Sequence, residues 1–336
     1  VAFSHSAGDI DMALLQGAMA GAERIFELID TPLEVVDPHD PAPLPNPLRG
    51  EIELRDVWFR YPESKRTRAP EGAQEETQAG TEALTAGGSP EAAGARRSPV
   101  ERPFALRGVS VQVLPGERVA IVGHTGAGKS TVVNLLARFY DPTAGHVLLD
   151  GVPISTIRQR ELRRQIGIVL QDVFIFTGTI LENIRLWDPS VCEERALEAA
   201  RVVGADSFIR ELEDGYHTVL GERGATLSTG QKQLLSFARA LAQDPKVLLL
   251  DEATASVDPD TEQRLQEAVH RTTEGRTSLV IAHRLATIKN ADRILLLHRG
   301  ELREQGSFRE LVEQRGLFYT LYRMQNPDDD KRAAVG

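Results

Sequence analysis

The chain has 336 residues and a single cysteine, Cys192, which rules out an intramolecular disulfide and a cysteine-built zinc site. One cysteine fits a reducing, cytosolic compartment. Long apolar runs are missing too. No stretch approaches the roughly 18 residues needed to span a bilayer, and the uncharged run Met12 to Ala22 is short and rich in Ala and Gly. The start shows no charged segment followed by an apolar one, as a secretory signal would. The first residue is Val1, as expected of a fragment or of a chain begun at an alternative codon. Basic residues are in deficit: 39 Lys and Arg face 49 Asp and Glu, a net charge of −10. A general nucleic-acid binder would carry a basic stripe, so that class is disfavoured, while a local basic phosphate pocket stays open. What remains is ordinary for a soluble globular chain, with 41% hydrophobic and 26% charged residues and room for about two domain-sized units.

Along the chain, residues 9–30 place Met12, Leu15, Met19, Ile25, Phe26 and Ile29 at helical spacing. Six prolines between Pro32 and Pro47 then forbid a regular element, so 31–49 reads as a linker and a compact domain is expected from about Gly50. Glu51–Tyr61 alternates as a strand does. In 62–103 only Leu84 and Val100 are large aliphatic or aromatic residues. Such a segment cannot bury enough surface to offset its ordering entropy, and a disordered insertion is expected, with a partner-binding or regulatory loop as the other reading. From Phe104 onward, continuous apolar runs (Val119–Val122, Ile166–Leu170, Val247–Leu250, Leu279–Ala282, Ile294–Leu297) are separated by helical stretches such as Thr131–Phe139 and Gln231–Ala242. That is the pattern of an α/β fold with parallel strands covered on both faces. A helical subdomain is expected at about 172–242, and a frayed tail at 326–336.

The strongest motif is Gly123-His124-Thr125-Gly126-Ala127-Gly128-Lys129-Ser130-Thr131, after a strand and before a helix. Glycines let backbone N–H groups curl around phosphate oxygens, and the helix N-terminus adds partial positive charge. In this pattern Lys129 reaches the β- and γ-phosphates and Ser130 ligates Mg²⁺. A second motif, Val247 to Glu252, is an apolar strand ending in two carboxylates, which burial disfavours unless something cationic meets them. Asp251 fits a Mg²⁺-holding carboxylate and Glu252 a general base for an attacking water. A solvent-facing acidic pair is the plainer reading. A third, Leu227-Ser228-Thr229-Gly230-Gln231-Lys232-Gln233, precedes a helix. Ser228 suits a plain helix cap, or else an anion site built from its hydroxyl, the Gly230 N–H and the helix dipole.

Taken in order, Tyr61, the 123–131 loop, Gln171, 227–231, 248–252, Ser256-Val257-Asp258 and His283 resemble the ATP-binding cassette (ABC) transporter nucleotide-binding domain over about residues 50–325. The resemblance implies a P-loop NTPase (RecA-like) core, an antiparallel β subdomain and an inserted helical signature subdomain. It implies that Tyr61 stacks on adenine. Gly123, Thr125, Gly126, Gly128, Lys129, Ser130 and Thr131 would hold the phosphates. Gln171 would contact Mg²⁺ or the water, together with Ser130 and Asp251. Ser228, Gly230 and Gln231 would face the ATP of a second cassette, Asp258 would communicate across that dimer, and His283 would lie near the γ-phosphate. The alternatives are a core tyrosine at 61, a solvated Gln171, a helix cap at Asp258 and a structural His283.

The segments Ala22–Asp30, Thr179–Ile184 and Gly221–Gly224 resemble exporters that join membrane and ATPase domains in one polypeptide. Residues 1–30 then correspond to the end of a transmembrane helix and a linker helix. The implied protein is the ATPase half of a membrane exporter, working at the cytoplasmic face with ATP and Mg²⁺, a second cassette and transmembrane domains as partners, and no nucleic acid. Thr229 stands where most active cassettes have glycine. This resembles one half of heterodimeric bacterial multidrug exporters and points to a heterodimer over a homodimer. The rival classes are a non-transport ABC ATPase of DNA repair or translation and a regulatory cassette with weak hydrolysis.

Overall fold

The computed structural model describes residues 7–30, 34–62, 103–170, 172–251, 259–282 and 284–325. Gln171, Glu252, Asp258 and His283 lie outside the described residues, as do nearly all of the expected 62–103 insertion and the 326–336 tail.

Twelve strands are described: β1 (Ile52–Phe59), β2 (Leu106–Val113), β3 (Arg118–Val122), β4 (Ala144–Leu149), β5 (Val152–Pro153), β6 (Ile166–Val169), β7 (Gly178–Thr179), β8 (Val219–Leu220), β9 (Val247–Asp251), β10 (Thr277–Ile281), β11 (Arg293–His298) and β12 (Glu301–Gly306). The α-helices are α1 (Ala7–Ile29), α2 (Lys129–Leu136), α3 (Gln159–Gln165), α4 (Ile180–Arg185), α5 (Glu193–Val202), α6 (Asp206–Arg210), α7 (Thr229–Ala242), α8 (Pro259–Thr273), α9 (Leu285–Lys289), α10 (Phe308–Gln314) and α11 (Leu317–Gln325).

The core sheet runs β12-β11-β3-β10-β9-β6, with every pair parallel except β11 and β12. Its strands are continuous apolar runs because helices cover both faces; all five residues of β10 are buried. A second sheet, β2-β1-β4-β5, is antiparallel. Here β1 alternates, with Ile52, Leu54, Val57 and Phe59 buried, and a register shift beyond Leu54 interrupts the ladder with β2. Residues 172–242 supply α4 to α7, packed around Ile180, Ile184, Phe208, Leu235 and Phe237. The fold is therefore α/β, with a parallel P-loop core, an antiparallel β subdomain and an inserted helical layer, as the resemblance implies.

Two N-terminal features need the three-dimensional view. Helix α1 leaves Met12, Leu14, Leu15, Met19, Ile25, Phe26 and Ile29 exposed, so these side chains meet no core among the described residues. The described part of the proline-rich segment that follows, residues 34–49, contains neither helix nor strand, yet it is docked. Ala42 N–H donates to Thr156 O at 2.8 Å, Gln159 N–H donates to Asp37 Oδ1 at 2.8 Å, and Leu44 and Leu48 pack on the main core. Arg138, 1% exposed just beyond α2, donates to Val36 O at 3.1 Å and to Ile157 O. Prolines remove strand and helix hydrogen bonds, but they leave carbonyls free for a buried guanidinium to use.

Candidate functional site

Parallel α/β sheets present ligand sites at the carboxyl ends of their strands. In register, Ile281 pairs with both Ile121 and Asp251, so β3, β10 and β9 end together. The loop 123–128 leaves that edge and enters α2. Its glycines are obligatory in two places. Gly128 has φ +104°, and a Cβ there would lie 2.8 Å from Ala105 O. At Gly123 a Cβ would come within 2.3 Å of Leu297 O. Only glycine lets the loop turn this tightly against the neighbouring backbone. His124, Thr125, Gly126 and Ser130 are exposed on the loop, while Thr131 is buried under it. A cleft of about 170 Å³ opens beside Gly123, His124 and Thr125 and is walled by Ile288, Phe318 and Tyr322.

Lys129 is buried, and its ammonium donates to Gly123 O at 2.8 Å and His124 O at 3.1 Å. It spans the loop from beneath, its ammonium held by these two carbonyl oxygens. Burial lowers its pKa from the usual 10.5, and the Asp251 carboxylate partly opposes that shift. The opposition matters structurally: the loop lysine and the strand-end carboxylate are near enough to feel each other. The structure thus brings Lys129 and Asp251 to one edge.

Tyr61 is half-buried and sits edge-on to Phe59 and Tyr140, with ring centroids 4.8 and 5.2 Å away. Its hydroxyl lies 3.1 Å from Thr131 Oγ1 and accepts from Asn134 Nδ2 at 3.2 Å. The ring is fixed against the loop helix, which is compatible with both readings, core tyrosine and base platform.

The segment 228–231 opens α7. Ser228 Oγ accepts from Gln231 N–H at 3.2 Å, and Gln231 Oε1 accepts from Ser228 N–H at 2.9 Å. This is a capping box, the plainer reading of Ser228, and it leaves the serine hydroxyl proton unused. Gly230 is buried against α8: a Cβ there would sit 2.2 Å from Thr261 Cγ2. Ser228 and Thr229 are exposed. None of the residues 228–231 lines the cleft beside 123–125.

Sequence reasoning missed the pair that ties the helical layer together. Asn183 is fully buried; it accepts from Phe176 N–H and donates to Phe176 O and Thr179 O. Arg239 of α7 donates to Asn183 O at 2.7 Å, Asn183 Oδ1 at 2.8 Å and Phe174 O at 2.6 Å. With only neutral partners in these bonds, burial pulls the Arg239 pKa down to about 10. Their pairing carries no sequence signal, because Arg239 reaches Asn183 across 56 positions of chain.

Among the described residues no group of three or more His, Cys, Asp or Glu could hold a metal, and no helix is long and apolar enough to cross a membrane. The family model described as ABC transporter matches residues 106–255. The chain is 41% identical to the uncharacterized ABC transporter ATP-binding protein YknV of Bacillus subtilis (strain 168), over 95% of its own length and 46% of that protein. It is 39% identical to an ATP-dependent lipid A-core flippase of Syntrophus aciditrophicus (strain SB), over 96% of its length and 47% of that protein. A solved bacterial Atm1-family ABC exporter with ATP bound superposes with a TM-score of 0.72 and 37% identity, covering 95% of this chain and 49% of that one. The chain thus spans about half the length of the relatives it matches. With a strand-to-helix phosphate loop, a strand-end carboxylate that acts on its lysine and this kinship, the chain carries an ABC transporter ATP-binding domain.

Proposed function

We propose that this chain binds and hydrolyses ATP to drive export across a membrane, as the ATPase half of an exporter. One observation carries the nucleotide site: a buried Lys129, held under a glycine loop at the head of α2, close enough to Asp251 for their charges to interact. The residues fit a triphosphate. Gly126 has open space where a Cβ would stand, the first N–H groups of α2 are unpaired within the helix, and Lys129 has only carbonyls to exchange for phosphate. Ser130, Asp251 and Gln171 would hold Mg²⁺, which supplies charge neutralisation on the phosphates.

In this reading Lys129 stabilises charge on the transferring phosphoryl group and Gly123 to Gly128 fix it in line. Glu252 takes the proton of the attacking water, and His283 stabilises the γ-phosphate. Tyr61 supports adenine. Ser228, Gly230 and Gln231 complete the site of a second cassette, so a single copy hydrolyses slowly. Asp258 couples the two halves. The exposed apolar side of α1 suits continuation into a membrane domain, and closure of the two cassettes would rock the attached helices. Thr229 supports a heterodimer: it is exposed in the first turn of α7, where its side chain changes the face offered to a partner and not this chain's own core.

The test is Glu252→Gln. The variant should keep Mg²⁺-dependent ATP affinity and lose about 10²–10⁴-fold in turnover. Wild-type turnover would remove Glu252 from its role. If the unmodified chain, alone or with a partner cassette, has no Mg²⁺-dependent affinity for ATP, the reading fails as a whole. Co-purification with a cassette lacking the equivalent glutamate would favour the heterodimer, and full activity as a homodimer in liposomes would exclude it.

A further inference from the structure

Beneath the site edge lies a small enclosed space whose lining joins four elements: Leu170 beyond β6, Gln233 of α7, Asp251 of β9 and Arg284 before α9, with Gln266 of α8 closing one side. Its volume is about 20 Å³. A single water needs roughly 10–15 Å³ measured this way, and it needs polar partners. One partner is conspicuous. Gln233 is 7% exposed, and its Oε1 is buried with no hydrogen-bond partner among the described residues. Leaving a buried amide oxygen unmet costs about 1–3 kcal/mol, so proteins rarely keep one without a use for it.

We propose that Gln233 is a positioning residue that holds the Asp251 carboxylate through one buried water. The inference rests on the ATPase reading above, in which Asp251 serves Mg²⁺. The water donates to Gln233 Oε1 and to the carboxylate, while the Arg284 guanidinium, ion-paired with Glu262, supplies a donor to the water's own oxygen. Helix α7 begins at the Ser228–Gln231 segment and carries Gln233 less than one turn further on. A rigid helix therefore links the surface offered to a second cassette to the carboxylate of this chain's own site. The carboxylate in turn acts on Lys129. Packing alone would be better served by an apolar side chain of similar length at position 233.

Gln233→Met removes the acceptor and nearly preserves volume. Its readout is the Mg²⁺ concentration that gives half-maximal binding of a fluorescent ATP analogue to the full chain, which needs no turnover. The expected result is a roughly tenfold higher Mg²⁺ requirement, with metal-free affinity for the analogue unchanged, in line with the cost of disturbing a residue behind a metal ligand. Phe237→Leu, which alters the same lining without touching a polar group, should leave the Mg²⁺ requirement at the wild-type value. An unchanged requirement in Gln233→Met, or an equal shift in Phe237→Leu, overturns the proposal. Should Gln233→Met not fold, a high-resolution crystal structure of the unaltered chain decides. Density for a water within about 3.2 Å of both Gln233 Oε1 and Asp251 supports the proposal, and its absence rejects it. Failure of the ATPase reading would look different, because the unaltered chain would then bind no analogue at any Mg²⁺ concentration.

Discussion

Replacing Gly230 by alanine tests what holds α7 in place. The new Cβ would stand 2.2 Å from Thr261 Cγ2, whereas carbon atoms settle at about 3.5 Å or more, so α7 and α8 must part by about 1.3 Å at this point. Thr261 cannot readily turn aside, because a β-branched side chain in a helix has few χ1 choices. Overpacking of this kind costs about 1–3 kcal/mol, offset by up to about 1 kcal/mol from the better helix propensity of alanine. The net loss of about 1–2 kcal/mol corresponds to a melting temperature roughly 2–8 °C lower. Thr261→Ser removes Cγ2 and keeps the hydroxyl, so the double variant should recover to within about 0.5 kcal/mol of Thr261→Ser alone. Thermal and urea unfolding of the four proteins close the cycle. An unshifted Gly230→Ala, or a double variant no better than the single one, would refute the packing argument. The same set separates two roles of this glycine. If the double variant regains stability but not ATP turnover, Gly230 also acts on the nucleotide of the partner cassette.

Asn183→Ala should lower stability by about 2–4 kcal/mol, because it removes four hydrogen bonds at a fully buried site and takes one neutral partner from Arg239; calorimetry reads it directly. Nucleotide affinity should fall with rising pH earlier than for an ordinary lysine site, since burial lowers the Lys129 pKa and the cation is lost sooner. Lys129→Arg should flatten that pH profile, whatever its effect on affinity at neutral pH. The sign for stability is opposite. Above the lowered pKa the unfolded chain holds the proton more firmly than the folded one, so the contribution of Lys129 to folding stability rises with pH up to about 10.5, and denaturant titrations across that window measure it.

Residues 123–131 were readable as a phosphate loop because their information is local. Glycines at fixed spacing, a strand before and a helix after are properties of one short segment, and the structure adds the reason for Gly123 and Gly128 in the backbone oxygens they approach. The strands β3, β6, β9, β10 and β11 were readable because burial on both faces demands unbroken apolar runs. Strands β2, β4 and β12 left weaker traces. The residues of β12, Glu301–Gly306, are mostly polar, with Leu302 the one large apolar side chain, and pairing with β11 makes them a strand. Ser228 and Gln231 show the limit inside a motif: the sequence allowed a cap or an anion site, and the fold shows the cap made while leaving the hydroxyl proton for another use.

By itself, the sequence determined the α/β class, the position of the phosphate loop and the kinship with ABC cassettes, since each depends on residues close together in the chain or on motifs in a fixed order. Tertiary structure alone decided which polar groups are buried and whom they meet. Arg138 reaches back to Val36 across 102 positions, Arg239 to Asn183 across 56, and Gln233 comes to share a space with Asp251 and Arg284. Such partners are set by how helices and strands pack, and packing is a property of the whole core that no short window of sequence contains.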